Sequence, residues 1–339
     1  MQTAIDKIRE LRALHEDGLL SRQEFEQRKN AILDAAHVPP AGSRAAPAGA
    51  PRGTELGLMV GQQVGPANRR YRLERLIALG GMGQVWQATD LATHAELGHS
   101  AQVALKILSP EVTESSGHAK LLVQEATRAR RLAHEHIVRV YDWAQDPATA
   151  SYFVIMECLE GEDLDSLLAR EGTLPLARTL ALLRPVGVAL DYAWDKHRLV
   201  HRDIKPGNAF VTARGEVKLL DFGIAARVRA GGRASTEAPA LSGTPGYRAP
   251  EAGSAATAPS RALDVYSVAV MVHQMVAGIA APATGAPARP DNLSDDQWRV
   301  LASGFAHDPA ARPPSVSQLL DLLGAAPQRA GAAAAAPAA

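Results

Sequence analysis

The sequence predicts an α+β protein in which strands dominate the first half of the globular region and helices the second. Residues 71–90 alternate apolar and polar around glycines, and residues 103–108 form a short continuous apolar run, both typical of strands. Residues 180–197 and 262–278 are longer apolar stretches that favour helices. A short pair of amphipathic helices is predicted ahead of this region.

Composition narrows the class of protein. The 339 residues are 46% hydrophobic, which is enough for one large domain or two ordinary ones. Lys+Arg and Asp+Glu balance at 36 each, so no nucleic-acid or membrane-surface binding is expected. The single cysteine, Cys158, excludes a disulfide framework and a Cys-based zinc site. With no signal pattern and no spanning apolar run, a soluble cytoplasmic protein is expected.

Residues 1–36 are predicted to form a helical hairpin. Gly18 is a natural residue to end the first helix, and Ser21 with Glu24 forms a capping-box pattern for the second. The stretch resembles the short SHOCT-type module, an appendage thought to mediate association. So small a hairpin buries little surface by itself, which favours self-association or docking to a partner. The alternative is an amphipathic hairpin that docks on its own globular domain.

Two segments are predicted to lack a packed core. Residues 37–65 are rich in Pro, Ala and Gly and are interpreted as a flexible linker. Residues 324–339 form an Ala-rich tail that is expected to be disordered. The globular domain is therefore placed at residues 66–323.

The first strand pair, residues 71–90, surrounds a Gly-rich turn. Glycines allow backbone N–H groups to approach phosphate oxygens without a clash at Cβ. The next strand, residues 103–108, carries Lys106 within an apolar run, which is costly unless the charge is paired. A lysine whose charge reaches solvent along the strand is the alternative.

The stretch from Val200 to Gly223 carries the strongest signal. Asp203 can accept the proton of an incoming hydroxyl, and Lys205 follows two residues later. Asn208 and Asp221 offer oxygens, which are the ligands that Mg²⁺ prefers. The pattern indicates phosphoryl transfer from a magnesium nucleotide.

This stretch resembles the catalytic and metal-binding loops of eukaryotic-type Ser/Thr protein kinases, and eight ordered motifs extend the resemblance over residues 66–323. It implies a bilobal protein-kinase-like fold, β-rich to about Glu157 and helical afterwards, with ATP and Mg²⁺ in the cleft. Lys106 would orient the phosphates and pair with Glu125 on the next helix. The residues expected to contact ATP are Ile77, Ala78, Leu79, Gly80, Gly81, Met82, Gly83, Gln84, Val85, Ala104, Lys106, Met156, Glu157 and Cys158.

Particular roles follow from the resemblance. Met156 would be the gatekeeper beside the adenine, and Glu157 with Cys158 would form the hinge. Cys158 is interpreted as a small apolar residue rather than a nucleophile. Ala78 stands where the family pattern has its first glycine. Lys205 would steady the transferred phosphate and favours Ser/Thr over Tyr substrates.

The segment from Asp221 to Glu251 resembles an activation segment. Its middle is basic, and three candidate phosphoacceptors lie there, namely Ser235, Thr236 and Ser242. Thr244 would contact the catalytic loop and the substrate backbone. Arg202 would hold the phosphorylated segment by charge-assisted hydrogen bonds. Each Ser or Thr is, alternatively, a solvated loop residue.

Scaffold roles are also implied by the resemblance. Glu251 and Arg312 would form a buried ion pair, and Asp264 would anchor the backbone of the catalytic loop. Residues 278–294 are shorter than in the family, where an additional helix helps to dock substrates.

The prediction is a Ser/Thr protein kinase acting on protein substrates. A kinase-fold scaffold that acts by partner binding is the alternative, supported by Ala78 and the shortened segment. A small-molecule phosphotransferase of related fold is a third interpretation, which Lys205 and the GTPGYRAPE segment disfavour.

Overall fold

The computed structural model describes residues 57–80, 83–97, 101–108, 116–222, 246–253, 260–279 and 287–327. These residues fall into two compact units. The sheet unit contains the described residues up to Leu108 together with 141–158, and the helical unit contains the remainder. The predicted division into a β-rich first part and a helical second part is confirmed. The predicted hairpin at residues 1–36 lies outside the described residues.

The sheet unit is a six-stranded sheet in the order β1-β2-β3-β4-β6-β5, with one short helix after β3. The pairs from β1 to β4, and β4 with β6, are antiparallel. Its elements are β1 (Gln63–Val64), β2 (Tyr71–Gly80), β3 (Gly83–Asp90), α1 (Leu91–Leu97), β4 (Gln102–Leu108), β5 (Val140–Gln145) and β6 (Tyr152–Glu157). The predicted strand–loop–strand and the buried strand carrying Lys106 are thereby confirmed.

One face of this sheet forms the core of the unit. The side chains of Trp86, Leu105 and Ile155 lie opposite one another on three adjacent strands and are almost fully buried. Phe153 meets Tyr71 edge-on, with 5.9 Å between ring centroids. Because successive strand residues point to opposite faces, the intervening residues of β3, β4 and β6 are directed away from this core.

The sheet unit begins earlier than the sequence predicts. Leu58 and Val64 are 2% and 1% exposed and pack in the core of the sheet. The buried carboxylate of Asp146 accepts a 2.9 Å hydrogen bond from the backbone of Gly65. The stretch from Gly57 to Gly65, interpreted as the end of the linker, is therefore part of the folded unit. Its few apolar residues stand among Gly, Gln and Pro and form no strand or helix pattern in the sequence.

The helical unit consists of helices and a small antiparallel sheet in the order β7-β8-β9. Its elements are α2 (Ser116–Ala129), β7 (Gly161–Asp163), α3 (Leu164–Glu171), α4 (Leu176–His197), β8 (Ala209–Thr212), β9 (Val217–Leu219), α5 (Ala262–Ala277), α6 (Asp295–Gly304) and α7 (Val316–Ala325). α2, which carries Glu125, groups with this unit although it precedes Glu157 in the chain. The last helix extends two residues beyond the predicted domain end at 323.

Helix α5 is the centre of the helical unit. Its sequence is apolar on nearly every face, and 14 of its 16 residues are buried. The few polar residues on it, Asp264, Ser267, His273 and Gln274, each make a hydrogen bond to a segment outside the helix or to its own backbone. A buried helix of this kind serves as a fixed frame for the loops around it.

The predicted ion pair between Glu251 and Arg312 is confirmed. The two guanidinium nitrogens of Arg312 donate to the two carboxylate oxygens at 2.6 and 2.8 Å. Arg312 also donates to the carbonyl oxygens of Ala262 and Ala306. Its side chain is fully buried, so these bonds satisfy a charge that would otherwise be costly.

Two further findings concern what the described residues lack. Between α5 and α6, described residues 278–279 and 287–294 include no helix. Within the described parts of the chain, none of the helices combines the length and the apolar character that crossing a membrane requires.

Candidate active site

The loop between α4 and β8 brings three predicted site residues together. The amide nitrogen of Asn208 donates to the backbone oxygen of Asp203 at 2.6 Å and lies 3.3 Å from its carboxylate. The ammonium of Lys205 is 3.5 Å from the same carboxylate. Asp203 is only 4% exposed. The predicted proton acceptor, phosphate-contacting lysine and metal-binding amide thus form one cluster.

A buried histidine ties this loop to the segment that carries Asp221. The Nδ1 atom of His201 accepts from the backbone N–H of Asp203 at 3.3 Å, so the proton lies on Nε2. Nε2 then donates to the backbone oxygen of Leu220 at 2.7 Å. The N–H of Leu220 donates in turn to the backbone oxygen of Asn208 at 2.8 Å. Asp221 therefore directly follows Leu220, whose backbone oxygen and N–H are both hydrogen-bonded to the catalytic loop.

As predicted, Asp264 anchors the backbone of the loop between α4 and β8. Its two carboxylate oxygens accept from the backbone N–H groups of His201 and Arg202 at 3.0 and 3.1 Å. Burial raises the pKa of Asp264 above its usual value, while His201 and the two N–H donors oppose that rise. The carboxylate replaces water as the partner of two buried amides, which is why a charged residue is tolerated in an apolar helix.

Two of the site residues have left-handed backbone. Arg202 has φ 68° and Asp221 has φ 55°. A non-glycine residue in this region is strained by about 1–2 kcal/mol, and such residues concentrate at functional sites. The backbone N–H of Arg202 donates to Asp264, and Leu220, directly before Asp221, accepts from His201, so both residues lie in hydrogen-bonded parts of the chain.

In the sheet unit, strand register gathers the predicted nucleotide-binding side chains on one face. Val85 lies opposite Lys106, and Lys106 lies opposite Val154. The neighbouring pair on the same face is Ala104 with Met156. This is the face that does not contribute to the core of the sheet. Around Lys106, which is 8% exposed, the neighbours Val85, Ala104, Val154 and Met156 are apolar. Apolar side chains beside one lysine suit the flat base and the phosphate chain of a nucleotide.

The Gly-rich turn between β2 and β3 adds to this face. Ala78 lies opposite Val85, and Gly80 lies opposite Gly83. Gly83 has φ 135°, and a Cβ atom there would come within 2.0 Å of the backbone oxygen of Ile107. Glycine is therefore required at this position. Gly81 and Met82, also predicted to contact ATP, lie outside the described residues.

Not every predicted contact residue faces this surface. Leu79 and Gln84 lie opposite each other on the core side of the sheet. Gln84 is 2% exposed and its side-chain oxygen accepts from the indole N–H of Trp86 at 2.8 Å. Only the backbone of Gln84 is thus available to a ligand on the Lys106 face. Ile77 is unpaired at a bulge in β2 and is 37% exposed.

The predicted hinge begins at the last residue of β6. Glu157, which pairs with Val103, and Cys158 are both partly exposed, and the cysteine is a free thiol. Glu125 is 5% exposed on α2 and accepts a 2.8 Å hydrogen bond from Arg128 one turn later. Its pairing with Lys106, which belongs to the other unit, stays a prediction.

The predicted regulatory residues are only partly described. Ser235, Thr236, Ser242 and Thr244 lie outside the described residues. Of Arg202, the backbone N–H is placed by Asp264 as described above.

Two features of the site were not predicted from the sequence. One is the role of His201 as the link between Asp203 and Leu220. The other is the attachment of Tyr247 to α5 through Ser267 and Gln274. His201 lies within the stretch from Val200 to Gly223 that resembles the catalytic loop, and this position was the one sign in the sequence of its role. The Tyr247 contacts join residues that are 20 and 27 positions apart, and no local pattern reveals them.

The arrangement fits a nucleotide-bound magnesium ion. The nitrogen of the Asn208 amide is committed to Asp203, so its oxygen is the atom that remains for a cation. The carboxylate of Asp221 is the second candidate oxygen. Among the described residues, no group of three or more His, Cys, Asp or Glu forms an all-protein metal cage. Mg²⁺ bound with a nucleotide needs few protein ligands, because water and phosphate complete its shell.

Comparison with protein families gives two matches. The model described as "Protein kinase domain" matches residues 71–317, and the one described as "Short C-terminal domain", SHOCT, matches residues 6–33. The predicted resemblance of the N-terminal stretch to a SHOCT module is thereby confirmed.

Comparison with curated proteins gives bacterial relatives. The chain is 40% identical over 212 residues to the serine/threonine-protein kinase PknA of Mycobacterium tuberculosis, covering 62% of this chain and 47% of the relative. It is 36% identical over 270 residues to PknA of Corynebacterium glutamicum, covering 74% and 54%. The chain spans about half the length of these curated relatives.

Comparison with solved structures also gives a protein kinase. The PknI kinase domain of Mycobacterium tuberculosis matches with a TM-score of 0.61 and 27% identity. The match covers 79% of this chain and 98% of that structure.

Proposed function

Because the chain belongs to the protein kinase family, we propose that it transfers the γ-phosphoryl group of Mg-ATP to Ser and Thr hydroxyls of proteins. The observation that carries this proposal is the cluster of Asp203, Lys205 and Asn208, bonded through Leu220 to the segment of Asp221. These are the groups that phosphoryl transfer requires, and they share one loop system.

Asp203 is the group that receives the proton. In this proposal the substrate hydroxyl oxygen forms a bond to the γ-phosphorus, the bond to the β-phosphate oxygen breaks, and ADP leaves. The proton of the hydroxyl passes to the Asp203 carboxylate, and Lys205 neutralises charge on the transferred group. Most of the rate gain comes from holding these groups in place before reaction.

The cofactor is held by two sets of residues. The face of Val85, Ala104, Lys106 and Met156 supports the nucleotide, with Lys106 contacting the phosphates and pairing with Glu125. Mg²⁺, when bound, neutralises charge on the phosphates, and Asn208 with Asp221 supplies its protein oxygens.

Protein Ser and Thr residues are the proposed substrates. Lys205 follows Asp203 at the position typical of Ser/Thr kinases, and Thr244 lies in a GTPGYRAPE segment that suits a peptide backbone. The curated relatives are named serine/threonine-protein kinases. In the same proposal, phosphorylation at Ser235, Thr236 or Ser242 regulates the enzyme through Arg202, and the enzyme acts in cytoplasmic signal transduction.

Replacing Asp203 tests the reaction. Asp203→Asn should lower autophosphorylation and transfer to a Ser/Thr peptide library by at least about 100-fold, because the proton acceptor is lost. Phosphate incorporation from labelled Mg-ATP is the measurement, with site mapping by mass spectrometry. Asp296→Asn, a surface carboxylate paired with Arg299, is the matched control. Wild-type protein that adds no phosphate to itself or to the library would favour a scaffold that acts by binding.

The N-terminal module is proposed to mediate self-association or docking to a partner. Light scattering of the full chain and of a variant lacking residues 1–36 would measure this. A lower oligomeric mass for the variant is expected if the module self-associates. Identical subunit counts would remove self-association and leave partner docking, which a pull-down with the isolated module as bait would then address.

A further inference from the structure

Three histidines and a tyrosine form a cluster where the loop after α2 meets α4. The ring of His134 packs against Tyr192, with 4.9 Å between centroids, and the ring of His136 is 5.5 Å from His134. His197, in the last turn of α4, meets the same tyrosine edge-on at 5.6 Å. The hydroxyl of Tyr192 also accepts a 3.2 Å hydrogen bond from the backbone N–H of Ala133. None of these residues has a part in the proposed phosphoryl transfer.

His134 is the histidine of this cluster whose hydrogen bond requires a neutral ring. Its Nδ1 atom accepts from the backbone N–H of His136 at 3.1 Å, so Nδ1 carries no proton. His136 donates from its own Nδ1 to the backbone oxygen of Val217 at 3.1 Å, which it can do in either charge state. His197 lies 3.4 Å from the Tyr192 hydroxyl, which can donate to a neutral ring and accept from a charged one. Protonation of His134 must therefore break a bond, whereas protonation of the other two need not.

The loop that contains His136 supports strand β9. Besides the bond from its ring, His136 accepts a 2.8 Å hydrogen bond at its backbone oxygen from the N–H of Leu219. The N–H of Val138 donates in turn to the backbone oxygen of Leu219 at 3.0 Å. Leu219 lies two residues before Asp221, the candidate magnesium ligand. The bond to His134 thus helps to hold the residue to which this end of β9 is attached.

The surroundings of His134 oppose its charged form. The ring is half-buried, and burial lowers the pKa of His134 below its ordinary value of 6.5, with His136 adding to the decrease and Glu135 opposing it. From α4, Tyr192 and His197 face the cluster, and β9 meets it through backbone groups. Because unfolding exposes a ring of ordinary pKa, the unfolded chain binds more protons than the folded chain at about pH 6. The stability that neutral His134 contributes is therefore present above about pH 6.5 and is lost as the pH falls below it.

We propose that His134 is an acid sensor built into the helical unit. Its protonation releases the backbone N–H of His136, loosens the loop that holds β9, and so disturbs the segment that leads to Asp221. The consequence for catalysis rests on the proposed kinase function, whereas the change in stability does not. Mild acid is thereby expected to lower phosphotransfer by loosening the site, in addition to its effect on the reacting groups.

Urea unfolding of the full chain at a series of pH values from about 5.5 to about 7.5 tests the sensor. His134→Asn keeps an acceptor for the N–H of His136 but does not titrate. Its unfolding constant should depend less steeply on pH than that of the wild type, by up to about threefold per pH unit, because a half-buried ring should take up only part of one proton on unfolding. His94→Gln, at an exposed position on α1, is the matched control and should keep the wild-type slope. Equal slopes for His134→Asn and the wild type would overturn the proposal.

A second variant separates loss of the hydrogen bond from loss of the titrating ring. His134→Phe keeps an aromatic contact with Tyr192 but removes the acceptor. At about pH 7.5 it should raise the unfolding constant about tenfold, because the N–H of His136 loses its partner, and its pH dependence should be as shallow as that of His134→Asn. Should His134→Asn fail to fold, a slope of His134→Phe equal to that of the wild type would by itself refute the sensor.

Steady-state kinetics test the coupling to the site. The ratio of kcat/KM between His134→Asn and the wild type is measured with Mg-ATP and one Ser/Thr acceptor peptide, since titration of the phosphates and of Asp203 is common to both proteins and cancels. The ratio should be near one at about pH 7.5 and should favour the variant about twofold at about pH 6. A ratio of one at both pH values would show that acid acts on stability alone and would remove the coupling. A wild-type protein without phosphotransfer at any pH would overturn the kinase function and leave the unfolding result in place.

Discussion

The sheet unit and the helical unit place their site residues by different means. On the sheet, Val85, Lys106 and Val154 share a face because they are register partners on adjacent strands. In the helical unit, the backbone before Asp203 is held by Asp264, whose bonded partners are 62 and 63 residues away in the chain. On the sheet, many backbone hydrogen bonds between strands fix where a side chain lies. In the helical unit, the position of the catalytic loop depends on hydrogen bonds from its backbone to a few side chains.

This difference sets what a substitution can do in each unit. A change of a side chain on the Lys106 face of a strand alters the contact with a ligand and leaves the strand pairing in place, because the backbone hydrogen bonds do not involve the side chain. A change in Asp264 removes bonds that the backbone of the loop cannot replace. Residues that never touch the substrate should therefore matter greatly in the helical unit and little in the sheet.

The largest expected effect belongs to Lys106, the buried charge on the sheet face. Lys106→Met should lower kcat/KM for phosphotransfer by about 100- to 1,000-fold, the range found when one preorganised donor to a reacting group is removed. The melting temperature should change little, because the backbone pairing of β4 stays in place and Glu125 keeps its hydrogen bond from Arg128.

Its control is Lys196→Met, on an exposed position in the last turn of α4, which should keep full activity. A Lys106→Met variant with more than about a tenth of wild-type activity would contradict the assignment of this face to the phosphates.

The second prediction concerns the helical unit. Asp264→Ala should lower kcat by about 100-fold without contact to substrate, because a displacement of about 1 Å at the reacting groups costs that much. Asp191→Ala is the matched control, since Asp191 also accepts from two backbone N–H groups, those of Val316 and Ser317.

Both variants should lose stability, by about 1–3 kcal/mol for the unsatisfied amides, as measured by urea unfolding. Only Asp264→Ala should lose activity at a temperature where both are folded. Equal activities in the two variants would show that Asp264 serves stability alone.

The sequence could predict most of the sheet face and much of the loop. Contiguous motifs identified Lys106, Asp203 and Asn208, and the continuous apolar run of residues 103–108 predicted the strand that carries the first of them. Asp264 came from the family resemblance and not from local chemistry. The side of the sheet on which Gln84 lies follows only from register, which the sequence alone does not give.

What escaped prediction depends on contacts between distant parts of the chain. The hydrogen bonds that Tyr247 makes with Ser267 and Gln274 join residues 20 and 27 positions apart. In the sequence, nothing in α5 distinguishes Gln274 from any other polar residue in an apolar helix. Leu58 and Val64 were missed because a short apolar pair in a Gly-rich stretch carries too weak a period.

The third prediction tests the backbone of the Gly-rich turn. Gly83→Ala places a methyl group against the backbone of β4 at a φ that side chains rarely adopt. It should destabilise the protein by about 1–3 kcal/mol and raise the ATP KM about tenfold, because the turn must shift to relieve the clash. Gly215→Ala is the control, since its φ of 82° is also positive but no atom lies within 4 Å of a Cβ there. A similar ATP KM in both variants would contradict a role for the Gly83 turn in nucleotide binding.

The smallest effect is expected at Ala78, where the family pattern has glycine. Ala78 lies in extended strand backbone opposite Val85, so its methyl group needs no unusual φ and stands beside an apolar neighbour. Ala78→Gly should change the ATP KM by less than about threefold, and the unfolding free energy should fall by about 0.5–1 kcal/mol through added chain entropy. Ala144→Gly on β5 controls for the loss of a strand methyl group. If Ala78→Gly tightened ATP binding tenfold, the methyl group would be obstructing the phosphates, and register alone would no longer explain this face of the sheet.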